Sequence, residues 1–535
     1  SIQNSKFKIQ NSIMLPAIIV FGYLAVVFYI GIFAFRKGKN QSEDFFVAGR
    51  SLGPAVFLLS LFGTNMTAVA ILGSSGLAYQ RGVGVFGLMA SASCLVIPLT
   101  IFLIGTRLWY FGKKFGHITQ VQFLRDRWEC SGIGTFISIL TALMLIPYII
   151  VGVMGGGETL ETISNGAVPF AVGGGLVALV VMSYVFFGGM RGTAWVNSFQ
   201  TVLFLCFGAV AFILIGKSLG GFDTAMDTLL NAPKPPKGPP PATLLSRERI
   251  PLGEFLSYMF IPLSSIMFPH VAIMCLTAEK ITHFKRTIIF YPICIMAIWA
   301  PSVYLGVVAA SKYPGLPPGE TNNVIIRLLS DGTDPLIAGI LGAGIMACVM
   351  ASDSQILALS TIFTEDLFAY YGGKEKFGEK MQVWTGRLFV VIVTVVSFVI
   401  AMALHKQEGI FELAVRFAFT GFAALAPVML AALFWKRSTK WGALAASLWV
   451  AFAMFGTWYL TNISEIIKPK PGMPPAVIEG FGGLFLRTPV NVTVGGYLPV
   501  MPMCIISAIL VVVVSLMTKP PSQATIEKYF PAKTA

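Results

Sequence analysis

The stretch "LFGTNMTAVAILGSSG" (61–76) places Gly63, Thr64, Asn65 and Thr67 in the middle of an apolar run that extends over 52–80. A second apolar run, 252–276, is interrupted by "FIPLSSIMFPH" (260–270), which puts Pro262, Ser264, Ser265, Pro269 and His270 within about two helical turns. Such breaks carry meaning if the chain lies in lipid. No water is available there to satisfy freed N–H and C=O groups, so non-helical backbone persists only where it lines a protein-walled cavity.

Composition places the chain in lipid. Of 535 residues, 56% are hydrophobic and 12% charged, with 54 Gly and 43 Phe, which is too apolar for a soluble domain of this size. Apolar runs of about 20 residues, each enough to cross ~30 Å of hydrocarbon as a helix, recur along the whole chain. They fall near 13–35, 52–80, 82–110, 132–158, 165–188, 193–216, 252–276, 284–311, 335–364, 383–404, 409–435, 440–461 and 495–518. The expectation is an all-α integral membrane protein of about 13 spans, a single transmembrane domain over 1–535.

Cations cluster in alternate loops, as they do on the cytoplasmic side of membrane proteins. Examples are Arg36, Lys37, Lys39 and Arg50; Arg107, Lys113, Lys114, Arg125 and Arg127; Lys280, Lys285 and Arg286; and Lys519, Lys528 and Lys533. This pattern predicts a multi-pass protein of the cell (inner) membrane with the N-terminus outside and the C-terminus cytoplasmic, and it reads the first run as a retained anchor. It also accounts for the net charge of +14, so the lipid bilayer, and no nucleic acid, is the expected partner. The seven cysteines and four histidines show no metal-ligand spacing. "NAPKPPKGPPPATLL" (231–245), within the outer segment 217–251, reads as an extended, solvated loop.

The two broken runs open two sets of five spans, 52–216 and 252–435. An odd number per set makes the second enter the membrane from the opposite face, which is the arithmetic of an inverted repeat with a binding site at the midplane. Small residues also let membrane helices pack closely, and for "GAVPFAVGGGLVAL" (166–179) that is the preferred reading. Corresponding breaks in two repeats are more than packing demands.

A carboxylate stands out in "CVMASDSQ" (348–355): Asp353 is the one charge in the run from Pro335 to Phe363. At that depth a charge costs ~2.5–3.5 kcal/mol even on the lenient insertion scale, which favours a functional role over a packing one. Glu158 and Glu161 follow Gly155–Gly157 at an outer helix end; a solvated face is preferred for them over an entrance.

"SEDFFVAGRSLGPAVFLLSLFGTNMT" (42–67), "FFGGMRGTAWVNSFQ" (186–200), "FPHVAIMCLTAEK" (268–280), "STIFTEDLF" (360–368) and "TGFAALAPVMLAALFWKR" (420–437) together resemble the sodium:solute symporter family, whose members carry proline, pantothenate, acetate, sialic acid and sugars. The resemblance implies a leucine-transporter-type core of five plus five helices, peripheral helices, and alternating access. It also implies a shared cation site with carbonyls from Gly63, Met66 and Ala347. The two hydroxyl-bearing positions of that site fall here on Met350 and Ala351, which have no side-chain oxygen; sliding the register by one would bring in Ser352. Where members with a second sodium site have an aspartate, this chain has Asn197, while Asp353 and Ser354 stand at positions that are serine-rich in those members. The negative charge has therefore moved between helices, and Asn197, Ser352, Asp353 and Ser354 are the candidate second ion or proton site.

For the solute, the resemblance points to Thr67, Ser74, Ser75, Ser264, Ser265, Phe268 and His270. Met274 stands where carboxylate carriers of the family often have arginine, which weakens an anionic substrate. The expected function is a symporter moving a small organic solute with Na⁺, with no other cofactor and no enzymatic activity. The alternatives are coupling to H⁺ through Asp353, an uncoupled facilitator, and a transporter-like sensor, which the short tail after Met517 disfavours.

Overall fold

The computed structural model describes residues 2–36, 41–232, 241–405, 410–462, 484–487 and 492–531. Residues 233–240 of the Pro-rich stretch lie outside the described residues, as do Lys37, Lys39, Lys533 and most of the outer segment 462–494. The described part of 217–251 is more ordered than expected, with a helix over Phe222–Leu230 and a 3-10 turn over Pro241–Leu245.

Helices dominate. In chain order they are α1 (Ile2–Arg36), α2 (Pro54–Asn65), α3 (Ser74–Arg81), α4 (Gly84–Phe115), the short α5 (Gln120–Trp128), α6 (Ser131–Ile163) and α7 (Phe170–Ser218). Then come α8 (Leu252–Met267), α9 (Pro269–Leu276), α10 (His283–Lys312), α11 (Val324–Gly332), α12 (Pro335–Ala369) and α13 (Gly373–Leu404). Last are α14 (Ala414–Phe434), α15 (Lys440–Asn462), α16 (Val500–Met517) and α17 (Gln523–Tyr529). Two short antiparallel strands, Phe485–Arg487 and Val492–Val494, are the exception, and the protein is a predominantly helical, multi-pass membrane protein.

Ten helices are long and apolar enough to cross a membrane, and two bent pairs bring the number to 12 among the described residues. The count of thirteen is thus not reached directly. The two expected spans 165–188 and 193–216 form one 49-residue helix, α7, broken at Gly189 (φ 51, ψ −144). A straight helix of that length would run about 74 Å, more than twice the hydrocarbon thickness, so the break is where the chain turns back. That backbone conformation is open essentially to glycine alone, and a Cβ there would also meet the Phe45 carbonyl oxygen at 2.5 Å. Gly189→Val should therefore lower stability by roughly 2 kcal/mol or more, read as a fall in the melting temperature of the purified protein; an unchanged melting curve would refute the turn.

The bent pairs are the two runs singled out in the sequence. The first is bent by 54° between Asn65 and Val69, the second by 46° at Phe268. Met66 is extended (φ −101, ψ 91), a π-helical turn follows over Val69–Gly73, and Phe268 (φ −59, ψ 117) leaves the helix just before Pro269 starts the next. Proline at the first helical position loses no hydrogen bond, so Pro269 restarts the helix at no cost. Leu52 N–H donates to Thr277 O at 3.2 Å and Glu279 N–H to Leu52 O at 3.2 Å, which sets the start of the first broken span beside the end of the second. α2 packs on α7, α6 on both α7 and α12, and α14 on α8, so the breaks face each other across the bundle interior.

Candidate functional site

Between the breaks lies a cavity with about 70 Å³ of room for water centres, enough for several waters or one small solute. Its wall takes Asn65, Met66, Val69 and Ala70 from the first break, Ser264, Ser265 and Phe268 from the second, Tyr148 from α6, Trp299 from α10 and Phe419 from α14. Mostly apolar lining with a few converging polar groups is the usual make-up of a small-molecule site. Of the predicted solute residues, Ser264, Ser265 and Phe268 are on this wall.

The others are not. Ser74 and Ser75 are buried, and their hydroxyls donate back to Ala70 O (2.7 Å) and Leu72 O (3.1 Å) of their own helix. Thr67 turns its hydroxyl to Tyr148 Oη at 3.4 Å. His270 sits behind Phe268, ring centroids 4.8 Å apart, with no hydrogen-bond partner for either nitrogen among the described residues. Thr67, Ser74, Ser75 and His270 are thus not among the residues lining this cavity. A serine or threonine in a helix has its own i−4 carbonyl within reach, and sequence alone does not tell that choice from an outward one.

At the shared cation position, the carbonyls freed by the first break already have donors. Cys348 Sγ–H donates to Met66 O (3.5 Å) and Thr67 O (3.3 Å), Gln355 Nε2 to Thr64 O (3.1 Å), and Tyr148 Oη–H to Asn65 O (3.4 Å). Met350 and Ala351, in a 3-10 turn with Ser352, are buried and bring no side-chain oxygen, and Ala347 is likewise fully buried. Gly63 lies against α7, where a Cβ would meet Asn197 O at 3.1 Å. Of the carbonyls expected at the shared site, only that of Met66 is among those contacted here, by the Cys348 thiol.

Asp353 is different. Its side chain is fully buried, on α12 just past the 3-10 turn. Oδ2 accepts from Tyr184 Oη–H at 2.9 Å; Oδ1 accepts from Asn197 Nδ2 at 3.1 Å and from the Ser354 hydroxyl at 3.0 Å. Asn197 Nδ2 also donates to Ser354 Oγ at 2.8 Å, which leaves Asn197 Oδ1 buried without a partner among the described residues. Asn197, Asp353 and Ser354 are brought together; Ser352 packs instead against Gly152 of α6. Rotating the Asn197 amide would present the orphaned Oδ1 to the same spot, alongside a carboxylate and a hydroxyl. An all-oxygen set with one negative charge suits a hard monovalent cation.

The sequence reading missed Tyr184 and Cys348. A lone tyrosine in "VVMSYVFFGG" and a lone cysteine in an apolar helix are common packing residues, and only the fold brings them to Asp353 and to the break.

A cavity between two broken membrane helices, with a carboxylate held inside the bundle, is the architecture of a secondary transporter. The profile of the sodium:solute symporter family matches residues 45–450, and the chain belongs to that family. It is 28% identical to the high-affinity proline transporter PutP of Bacillus subtilis (strain 168), over 84% of this chain and 94% of that one. It is 26% identical to the sodium/proline symporter of Escherichia coli (strain K12), over 82% and 86%. Among solved structures, a substrate-bound, outward-open Na⁺-coupled sialic acid symporter superposes with a TM-score of 0.73 at 16% identity, covering 95% of this chain and 99% of that one. Mhp1, a nucleobase-cation-symport-1 family transporter, gives 0.55 at 12% identity over 91% and 98%. The fold is of the leucine-transporter type.

Proposed function

We propose that the chain is a Na⁺-coupled symporter of the cell membrane for a small, largely apolar organic solute of about proline's size. The solute occupies the cavity at Ser264, Ser265 and Phe268, and the ion is held by Asp353, Asn197 and Ser354. The observation that carries the ion assignment is the buried Asp353 carboxylate beside the orphaned Asn197 Oδ1. The proline specificity of the relatives and the absence of charged residues among those lining the cavity support the solute class. In this reading 52–216 and 252–435 are the inverted repeats, the N-terminus is outside, and the solute and ion enter from the same side by alternating access.

Proton coupling through Asp353 is the second reading. It is favoured by the full burial of Asp353, since a protonated carboxyl needs no further ligand. Uptake into proteoliposomes from a panel of amino acids, sugars and acids, with an imposed Na⁺ or H⁺ gradient, separates the two. Stimulation by inward Na⁺ supports the first reading, stimulation by inward H⁺ the second, and uptake indifferent to both gradients overturns coupling.

The cavity assignment has its own test. Ser264→Leu should lower uptake about tenfold or more by filling the space, whereas Ser74→Ala, whose hydroxyl serves only its own helix, should stay within about twofold. Equal effects of the two substitutions would place the solute elsewhere.

A further inference from the structure

Arg387 lies on α13, about 6 Å inside the expected span 383–404 and at the cation-rich end of the bundle. Its guanidinium carbon stands over four aromatic rings: Phe35 at the end of α1 (5.8 Å), Phe45 of the short helix Ser42–Val47 (5.5 Å), Phe186 of α7 (5.7 Å) and Trp384 of α13 itself (5.5 Å). Phe186 and Trp384 also pack edge to face, centroids 5.9 Å apart, so the walls of this corner support one another.

The rings answer the charge but not the N–H groups. A cation over an aromatic face gains ~0.5–1 kcal/mol at a partly exposed site, yet a ring has no lone pair for a donor in the guanidinium plane. Among the described residues, no carboxylate, carbonyl or hydroxyl accepts from Arg387. Of its nitrogens only Nε is fully covered, and the residue as a whole is half-buried, which leaves Nη1 and Nη2 as the open donors.

The carboxylates of the same corner are engaged elsewhere. Asp44 accepts from Arg191 Nη2 at 2.5 Å, Glu379 from Ser42 N–H at 2.8 Å, and Glu365 from the Ser42 hydroxyl at 3.0 Å and Gln382 Nε2 at 2.6 Å. A charge at the edge of the hydrocarbon without a counter-charge is costly, so the negative partner of Arg387 comes from outside the chain. What surrounds the corner on its outer side is apolar: Trp384, Leu388 and Phe187 are exposed there. A ligand that fits must bring both anionic oxygens for a guanidinium fork and hydrocarbon for those side chains.

We propose that Arg387 and its aromatic walls bind the phosphate of an anionic phospholipid from the leaflet on the cation-rich side. Nη1 and Nη2 donate to the phosphate oxygens, and the acyl chains lie along Trp384 and Leu388. Arg36, next in the chain to Phe35 and exposed at the end of α1, adds to the attraction for a negative headgroup. Because α1 and α13 both pack on α7, the lipid braces the two outer helices against the turn at Gly189. The site is separate from the central cavity and does not depend on which ion drives transport.

The test uses the full chain in detergent, titrated with phosphatidylglycerol, phosphatidylcholine or inorganic phosphate, with lipid-bound protein counted by native mass spectrometry. Phosphatidylglycerol should bind about tenfold or more tightly than phosphatidylcholine, whose choline cancels the charge, and Arg387→Gln should remove that preference. Arg327→Gln, which deletes the same charge from an arginine paired with Glu320, should keep it. Where Arg387→Gln fails to match the wild-type melting curve, Trp384→Leu, at an exposed position, should weaken phosphatidylglycerol about threefold. Displacement of the lipid by inorganic phosphate would make this a site for free anions and overturn the proposal, as would equal binding of the two lipids or an unchanged preference in the Arg387 and Trp384 variants.

Discussion

Asp353→Asn should abolish ion-driven solute uptake while leaving the protein folded. The substitution keeps the size and one acceptor of the side chain but removes the one formal charge held beside Asn197, Ser354 and Tyr184. An amide there meets two donors, Tyr184 and Asn197, and keeps the helix packed. A cation coming from water needs a negative partner at this depth, so its occupancy should fall by about a hundredfold or more for a lost interaction of ~3 kcal/mol. If Na⁺ drives transport, the variant loses Na⁺ stimulation; if H⁺ drives it, the variant loses its pH dependence. Uptake with unchanged ion dependence would reduce Asp353 to a packing role.

The largest loss of stability should come from Arg127→Ala. Arg127, on α5 between two spans, is fully buried with no carboxylate partner among the described residues. Burial pushes its guanidinium down to about 10, so it stays charged at neutral pH. It holds the C-terminal end of α14 by donating to Ala432 O (3.1 Å), Trp435 O (3.1 Å) and Lys436 O (3.2 Å), where a helix end leaves carbonyls without partners. Each acceptor orphaned by truncation costs ~1–3 kcal/mol, so a total of roughly 3 kcal/mol or more is expected in thermal unfolding. Arg127→Lys should recover only part of it, because one ammonium cannot span three carbonyls. A loss within about 0.5 kcal/mol, the scale of an ordinary surface substitution, would contradict this account.

What the sequence makes legible is what lipid makes expensive. Gly63, Asn65, Pro262 and Pro269 interrupt apolar runs, and Asp353 places a charge in one, so the breaks and the carboxylate stand out before any coordinates exist. The break near Gly189 is legible as the gap between the expected spans 165–188 and 193–216; that this one glycine makes the turn is not, since glycine is common in membrane helices. Which way Ser74 and Ser75 face is not legible, because it depends on rotation about the helix axis, which the π-helical turn over Val69–Gly73 resets. Glu158 is buried where a solvated face was expected, because the packing around a helix end is not written in its own sequence.

The central claim is that the coupling ion sits at Asp353 and not at the shared carbonyl site. Equilibrium binding of radioactive sodium to the purified protein tests it most directly, in wild type, Asp353→Asn, Asn197→Ala and Cys348→Ala. The account expects binding in wild type, loss in Asp353→Asn, weakening in Asn197→Ala, and no loss in Cys348→Ala, whose thiol only caps the carbonyls of Met66 and Thr67. Sodium binding retained at wild-type strength in Asp353→Asn would contradict it.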